Sequence, residues 1–173
     1  MGWYAIFVES GNEEKVVRRL QLLPSGQPAA SMHRLIIPKR RIIERKQGGR
    51  LEVEKNLFPG YILLQTDDIE SFFWLSRGCP GLIRILRNKD VFQEIQPEEI
   101  QQILPLCDPT GIIPISIAIY KNQRLSVIQG PLCQKESLIH KLDKRKGRAR
   151  IALVFNHQVH MVDLGIHIIP ADF

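Results

Sequence analysis

The sequence predicts an α+β fold, a mainly antiparallel sheet with packed helices, followed by a small all-β barrel. Three observations predict it. Over residues 1–107, short apolar strands alternate with three segments of helical period. The segment DPTGIIP (108–114) then places two prolines and a glycine together, the composition of a link between domains. Through 116–173 no segment has helical length or period, and short apolar alternations are broken by turn residues. The predicted division is a domain at 1–107, a linker at 108–115 and a second domain at 116–173.

WYAIFV (3–8) is a short apolar strand. Gly11-Asn12 opens a helix with Glu13 and Glu14 in its first turn, where carboxylates favour the positive end of the dipole. Val16, Val17, Leu20 and Leu23 recur at helical spacing, Pro24 stops the helix, and SGQPAA (25–30) is a loop. Residues 32–66 read as β structure. Pro38 interrupts a run that resumes as RRIIER, Gly48-Gly49 makes a hairpin turn, RLEVEK alternates on the far side, and GYILLQT is a central buried strand. DDIESFFWLSR (67–77) is a second helix, with Asp67 and Asp68 as cap and first-turn acids and Gly78 and Pro80-Gly81 as its stop. LIRILR (82–87) is a strand, NKD a turn, and PEEIQQILPLC (97–107) a third helix with Pro97 at its first position.

Composition narrows the function classes. Hydrophobic residues at 44% and charged residues at 24% are ordinary for a folded soluble chain and exclude disorder. No apolar run approaches the ~20 residues a bilayer requires, so no membrane partner is expected. The opening MGWYAIFVES lacks a basic n-region, and Ile6 stands where myristoylation wants Ser or Thr. Cys79, Cys107 and Cys133 are too far apart for a metal knuckle and odd in number; they read as reduced, partly buried thiols in a cytoplasmic protein.

Charge is the strongest functional signal. The formal charge is +6, a moderate bias toward polyanions. It is concentrated. KLDKRKGRAR (141–150) holds Lys141, Lys144, Arg145, Lys146, Arg148 and Arg150 against Asp143 alone. Asp143 to Gly147 reads as a turn, with Gly147 supplying a positive φ and the flanking strands presenting the remaining cations. Such convergence suits phosphates, and Arg adds planar bonding and stacking fit for looped RNA. A solvated hairpin guarding a sheet edge is the plainer alternative. A second basic stretch, 34–55, carries eight cations against Glu44, Glu52 and Glu54. Its alternation of Lys and Glu fits an exposed hairpin as well as a binding face.

Catalytic and metal-binding patterns are missing. His157 and His160 are three apart, which on a regular strand sends them to opposite faces. The acidic pairs Glu13/Glu14, Asp67/Asp68 and Glu98/Glu99 all fall at helix starts. No phosphate-binding loop, nucleophile elbow or dinucleotide fingerprint occurs. The chain reads as a non-enzyme with no cofactor and no metal.

Several of these segments resemble the NusG family of transcription elongation factors. The first region resembles its NGN domain through WYAIFVESGNEEKV (3–16), FPGYILL (58–64), RGCPGLIRIL (77–86) and PEEIQQIL (97–104). The last resembles a KOW domain, an SH3-like barrel, through RLSVIQGPL (124–132) and IHKLDKRKGRARIALV (139–154). The resemblance covers nearly the whole chain in order. It departs in Gln134 and Ser137, where small flexible residues are common, in a short, partly apolar link, and in an unusually basic 143–148 turn. These departures imply a specialised paralog of the LoaP or RfaH kind.

The resemblance also assigns roles. Phe58, Tyr61 and Leu63, with Trp3 and Tyr4, would form the hydrophobic pocket that grips a coiled coil of the RNA polymerase clamp. Pattern alone makes them core, and strand parity sends Phe58 and Tyr61 to opposite faces. Arg18, Arg19 and Arg77 would face upstream or non-template DNA, although Arg77 also complements a helix end. The expected function is a monomeric elongation and antitermination factor that docks on polymerase and is recruited by a structured leader in nascent RNA through the 141–150 hairpin. The alternatives are a ribosome-associated KOW RNA-binding protein and a protein-only adaptor between polymerase and the ribosome or Rho.

Overall fold

The computed structural model describes residues 1–23 and 33–170. The expected stop at Pro24 and the loop at 25–30 lie outside the described residues. In chain order the elements are β1 (Gly2–Val8), α1 (Glu13–Gln21), β2 (Arg34–Ile36), β3 (Lys39–Lys46), β4 (Gly49–Asn56), β5 (Tyr61–Thr66), α2 (Ile69–Ser76) and β6 (Leu82–Ile85). They continue as β7 (Arg87–Asn88), β8 (Val91–Phe92), α3 (Pro97–Ile103), β9 (Ile112–Ile113), β10 (Ser116–Lys121), β11 (Arg124–Gln129), β12 (Lys141–Asp143), β13 (Arg148–Phe155) and β14 (Gln158–Ile169). This is the α+β fold followed by an all-β region. Two compact units emerge, and they are not two halves of the sequence: one is 1–37 with 58–100, the other 38–57 with 101–173.

The first unit is built on a four-stranded sheet, ordered β2-β5-β1-β6 and antiparallel throughout. The period of two along β1 and β5 turns Ile6, Val8, Ile62 and Leu64 to the face that Val16 and Leu20 of α1 and Phe72 of α2 cover. Each such side chain stabilises the fold by about 1.5–3 kcal/mol when fully buried. Val16 and Leu20 lie one helical turn apart on α1, which leaves Arg18 and Arg19 exposed. Glu13 does more than favour the helix dipole. It is 2% exposed, and its carboxylate accepts the amides of Gly11 at 2.8 Å and Gly60 at 2.7 Å. Those bonds replace the water a buried carboxylate loses and tie the start of α1 to the turn before β5. Asp68 caps α2 by accepting from the Ser71 amide and hydroxyl, bonds that hold its carboxyl below the usual carboxylate range. The predicted strand 82–87 breaks at Leu86, whose amide donates to Ala5 while its carbonyl accepts from Gln93. The chain there turns out into the β7–β8 hairpin.

The second unit holds a five-stranded sheet, β11-β10-β14-β13-β12, and a three-stranded sheet, β4-β3-β9. Alternation along β13 buries Ala149, Ile151, Leu153 and Phe155, and β14 adds Val162, Leu164 and Ile166. Three predicted boundaries shift. The β3–β4 turn is Gln47-Gly48, because Lys46 pairs with Gly49. The third helix ends at Ile103 and continues as a 3-10 turn over Leu104–Leu106; Pro105 has no amide to extend an α-helical ladder. Part of the predicted link is strand: Ile112 and Ile113 pair with Lys39 and Arg40, and Ile113 is fully buried. Asp108 shapes the turn before it by accepting from the amides of Thr110 and Ile112.

Candidate nucleic-acid interface

The basic hairpin forms as its sequence predicts. Lys144–Gly147 is the turn between β12 and β13. Asp143 Oδ1 accepts the Lys146 amide at 2.9 Å, and Gly147 adopts φ 66°. Lys144, Arg145 and Lys146 are exposed at the tip. Because Ala149 and Ile151 point into the core, Arg148 and Arg150 point outward, with Arg150 paired across from Lys141 and Arg148 from Asp143.

These outward arginines are not equivalent to the tip. Arg150 makes a bidentate ion pair with Asp163, Nε to Oδ1 at 2.7 Å and Nη2 to Oδ2 at 3.1 Å. That pair raises the Arg150 pKa and lowers that of Asp163. Arg148 donates from Nη2 to the Ile43 carbonyl at 2.7 Å and from Nη1 to the Lys146 carbonyl at 3.0 Å. It fastens its own turn to β3.

The β3–β4 hairpin divides its charges likewise. Along the strands they cancel: Arg41 pairs with Glu54 at 3.0 Å and Lys55 with Glu44 at 3.1 Å. At the tip they do not. Arg45 stands directly opposite Arg50, with Lys46 beside them, all exposed. Like charges facing each other across a ladder are unfavourable unless a counter-charge joins them.

The two tips meet. At Gly165 a Cβ would lie 2.5 Å from the Arg41 carbonyl oxygen and 3.4 Å from the Ile42 Cα, so β14 and β3 approach as closely as only glycine permits. Beside this junction opens a cleft of about 560 Å³. Arg45, Lys46 and Arg50 line it from one hairpin, and Lys144, Arg145, Lys146 and Arg148 from the other. The partly exposed Ile43 and Ile168 give it an apolar floor, and Ile166, 1% exposed, completes that part of the lining. Among the described residues the lone carboxylate in its lining, Glu44, is the one paired with Lys55. Arg40, nearby in β3, is partly buried, and its Nε has no hydrogen-bond partner among the described residues. Burial lowers its pKa while Asp163 opposes that shift.

Of the six cations read from 141–150, four line the cleft; Lys141 is exposed outside the lining, and Arg150 is committed to Asp163. Pattern reading did not join residues 45–50 to residues 144–148. The available signal was Gly165, a lone glycine in the interior of a strand.

The aromatic cluster is corrected. Phe58 is 3% exposed and Leu63 0%, and Tyr4 packs against the helix-covered core. Phe58 and Leu63 therefore present no docking surface, while Tyr4 is half-buried. Phe58 precedes β5, so strand parity does not set its direction. Trp3 and Tyr61 are half-buried. A residue the pattern reading missed joins them: Phe7 stacks its ring 5.3 Å from Tyr61, with the Arg84 guanidinium 5.7 Å above it. Trp3, Ala5 and Phe7 alternate onto one face, which a period-two count shows.

Arg18, Arg19 and Arg77 are all exposed. Arg19 donates to the Pro80 carbonyl at 2.6 Å, and Arg77 lies 4.9 Å over the Trp74 ring. Among the described residues no three His, Cys, Asp or Glu side chains gather as a metal site. His157 sits in the β13–β14 turn rather than on a strand. The three cysteines are free and half-buried, and burial pushes the Cys107 thiol up to about 11. Among the described residues no helix is long and apolar enough to cross a membrane.

The family model described as transcription termination factor nusG matches residues 1–104. The transcription termination/antitermination protein NusG of Thermus thermophilus is 23% identical over 159 residues, covering 86% of each chain. Its namesake in Pseudomonas aeruginosa is 23% identical over 155 residues, covering 88% of each. A solved structure on domain interaction in Thermotoga maritima NusG superposes with a TM-score of 0.58 at 18% identity, covering 95% of this chain and 93% of that one. At that identity the superposition speaks to fold.

Proposed function

We propose an elongation and antitermination role for this chain, which belongs to the NusG family. Its first region docks on RNA polymerase, and its basic cleft holds the nascent transcript. The single observation that carries the RNA half is that, among the described residues, seven cations surround the cleft with one already paired carboxylate. A fold that needed charge only for solubility would mix signs there. An excess of cations converging on a recess favours a polyphosphate backbone, with counterion release supplying the affinity.

The polymerase half rests on the family and on the aromatic face of β1 and β5. Trp3, Phe7 and Tyr61 supply half-buried rings of the kind that anchor a partner helix. Phe58 and Leu63 support that face from within. Arg18, Arg19 and Arg77 lie exposed for upstream or non-template DNA. The functional division is 1–107 for polymerase, 108–115 for the link and 116–173 for the KOW barrel, and the extent of the family match supports it. The setting is the cytoplasm or nucleoid, and the working form is a monomer. A specialised paralog fits the charge: tethering through polymerase makes RNA capture intramolecular, so a weak RNA site acts at high effective concentration.

The test is in vitro transcription through a terminator with purified polymerase. The full chain should co-purify with polymerase and increase read-through on templates whose leader it binds. Changing Lys144, Arg145 and Lys146 to Glu should abolish RNA retention in a gel shift while polymerase co-purification persists. Failure of the unaltered chain to bind polymerase would refute the docking half; unchanged RNA retention by the variant at moderate salt would refute the RNA half.

A further inference from the structure

We infer that the cleft binds a looped-out, single-stranded stretch of RNA gripped by both hairpin tips at once, with phosphates on the two cation sets and a base on the isoleucine floor. This rests on the RNA reading above and sharpens it. There the cleft cations attract a transcript as a set; here Arg45, Lys46 and Arg50, about a hundred residues before the β12–β13 turn, grip phosphate themselves and are a required part of the site.

Three observations carry it. The first is the division of charge on β3–β4, where Arg41 and Lys55 are paired with Glu54 and Glu44 along the strands while the tip keeps three cations with neither of those acids. Arg45 facing Arg50 is costly in the free protein, and a phosphate between them removes the cost. The second is rigidity. The Gly165 approach and the bond from Arg148 to the Ile43 carbonyl hold the tips together before any ligand arrives, so little ordering is required on binding. The third is the floor. A recess of about 560 Å³ with the partly exposed Ile43 and Ile168 in its lining is the size of a small-ligand site, room for one or two nucleotides and not for a double helix. Paired bases are stacked inside a duplex and cannot reach such a floor; bases splayed from a loop or bulge can. Arginine on the rim adds planar stacking on an unpaired base.

The experiment uses the full chain and three RNAs: a stem-loop carrying 2-aminopurine in its loop, the same sequence single-stranded, and a blunt duplex. Affinity is measured across salt concentrations, and the fluorescence of the loop base reports its capture. The stem-loop and the single strand should bind at least tenfold more tightly than the duplex, with a fluorescence change on binding. R45E/K46E/R50E should weaken stem-loop binding as much as K144E/R145E/K146E does. The milder R45A/R50A removes exposed tip charge without touching the core; it should flatten the slope of log affinity against log salt by roughly 0.7 per phosphate released. Loss in the second hairpin only would overturn the shared site and leave the RNA reading standing. Loss in neither would bring down both. Equal affinity for duplex and stem-loop, or a silent loop base, would overturn the single-strand assignment.

Discussion

The two basic hairpins look alike as sequence and differ as structure. In β3–β4 acids interleave with the cations, and the strands cancel their own charge through Arg41 with Glu54 and Lys55 with Glu44. In β12–β13 the only acid, Asp143, shapes the turn, and neutralisation comes from elsewhere: Asp163 on the neighbouring strand takes Arg150, and backbone carbonyls take Arg148. Each hairpin therefore has a structural portion and an exposed tip, reached by different routes, and at the second tip the Lys144 ammonium also lies 3.7 Å over the Tyr120 ring. A count of lysines and arginines measures the sum of the two portions; only the tips, with Arg148 between them, face the cleft.

The comparison breaks most severely at the junction. Gly165→Val puts a branched side chain where the Arg41 carbonyl oxygen already sits 2.5 Å from a Cβ. The expected cost is about 1–3 kcal/mol, seen as a thermal midpoint lowered by several degrees, with RNA affinity falling although no cation is lost. Next comes Arg148→Ala, which strips the donor from the Ile43 carbonyl. A lost charge-assisted bond costs about 1–3 kcal/mol; amide exchange in β3 should quicken. Arg148→Lys keeps the charge without the planar fork, so it should preserve the salt slope better than the exchange protection.

Two smaller effects sharpen the contrast between strand and tip. Arg145→Ala should reduce the salt slope of RNA binding by about 0.7, whereas Arg41→Ala should leave it unchanged. Equal slopes for the two variants would erase the distinction drawn here. The smallest effect is acid sensitivity at Arg150–Asp163. Asp163 titrates below the ordinary carboxylate value, chiefly because Arg150 hydrogen-bonds it. Its contribution is thus complete above about pH 4 and fades as pH drops toward the depressed folded value. Partial exposure keeps the effect small. Asp163→Asn should flatten the acid limb of the thermal midpoint below about pH 4, and an unaltered limb would contradict the pairing.

Local signals read well from sequence. The Asp68 cap, the Pro97 helix start, the positive φ at Gly147 and the inward alternation of β13 each depend on a few neighbouring residues, and each stands in the structure. What sequence could not give was long-range. Phe58 and Leu63 carry the same pattern whether a sheet face is covered or bare. Glu13 looks like any first-turn acid until Gly60, forty-seven residues away, is placed beside it. The link lost two of its residues to β9 because Lys39 and Arg40 offered an open edge, which no property of DPTGIIP announces.

That edge pairing has a practical corollary. A clone beginning at the apparent border near residue 115 would leave behind the ribbon at 38–57 on which β14 leans, along with three of the seven cleft cations. Recombination between paralogs at that border would likewise splice one parent's barrel onto another parent's ribbon. Inheritance of ligand preference in such chimeras should follow the matched pair of segments, and neither half alone.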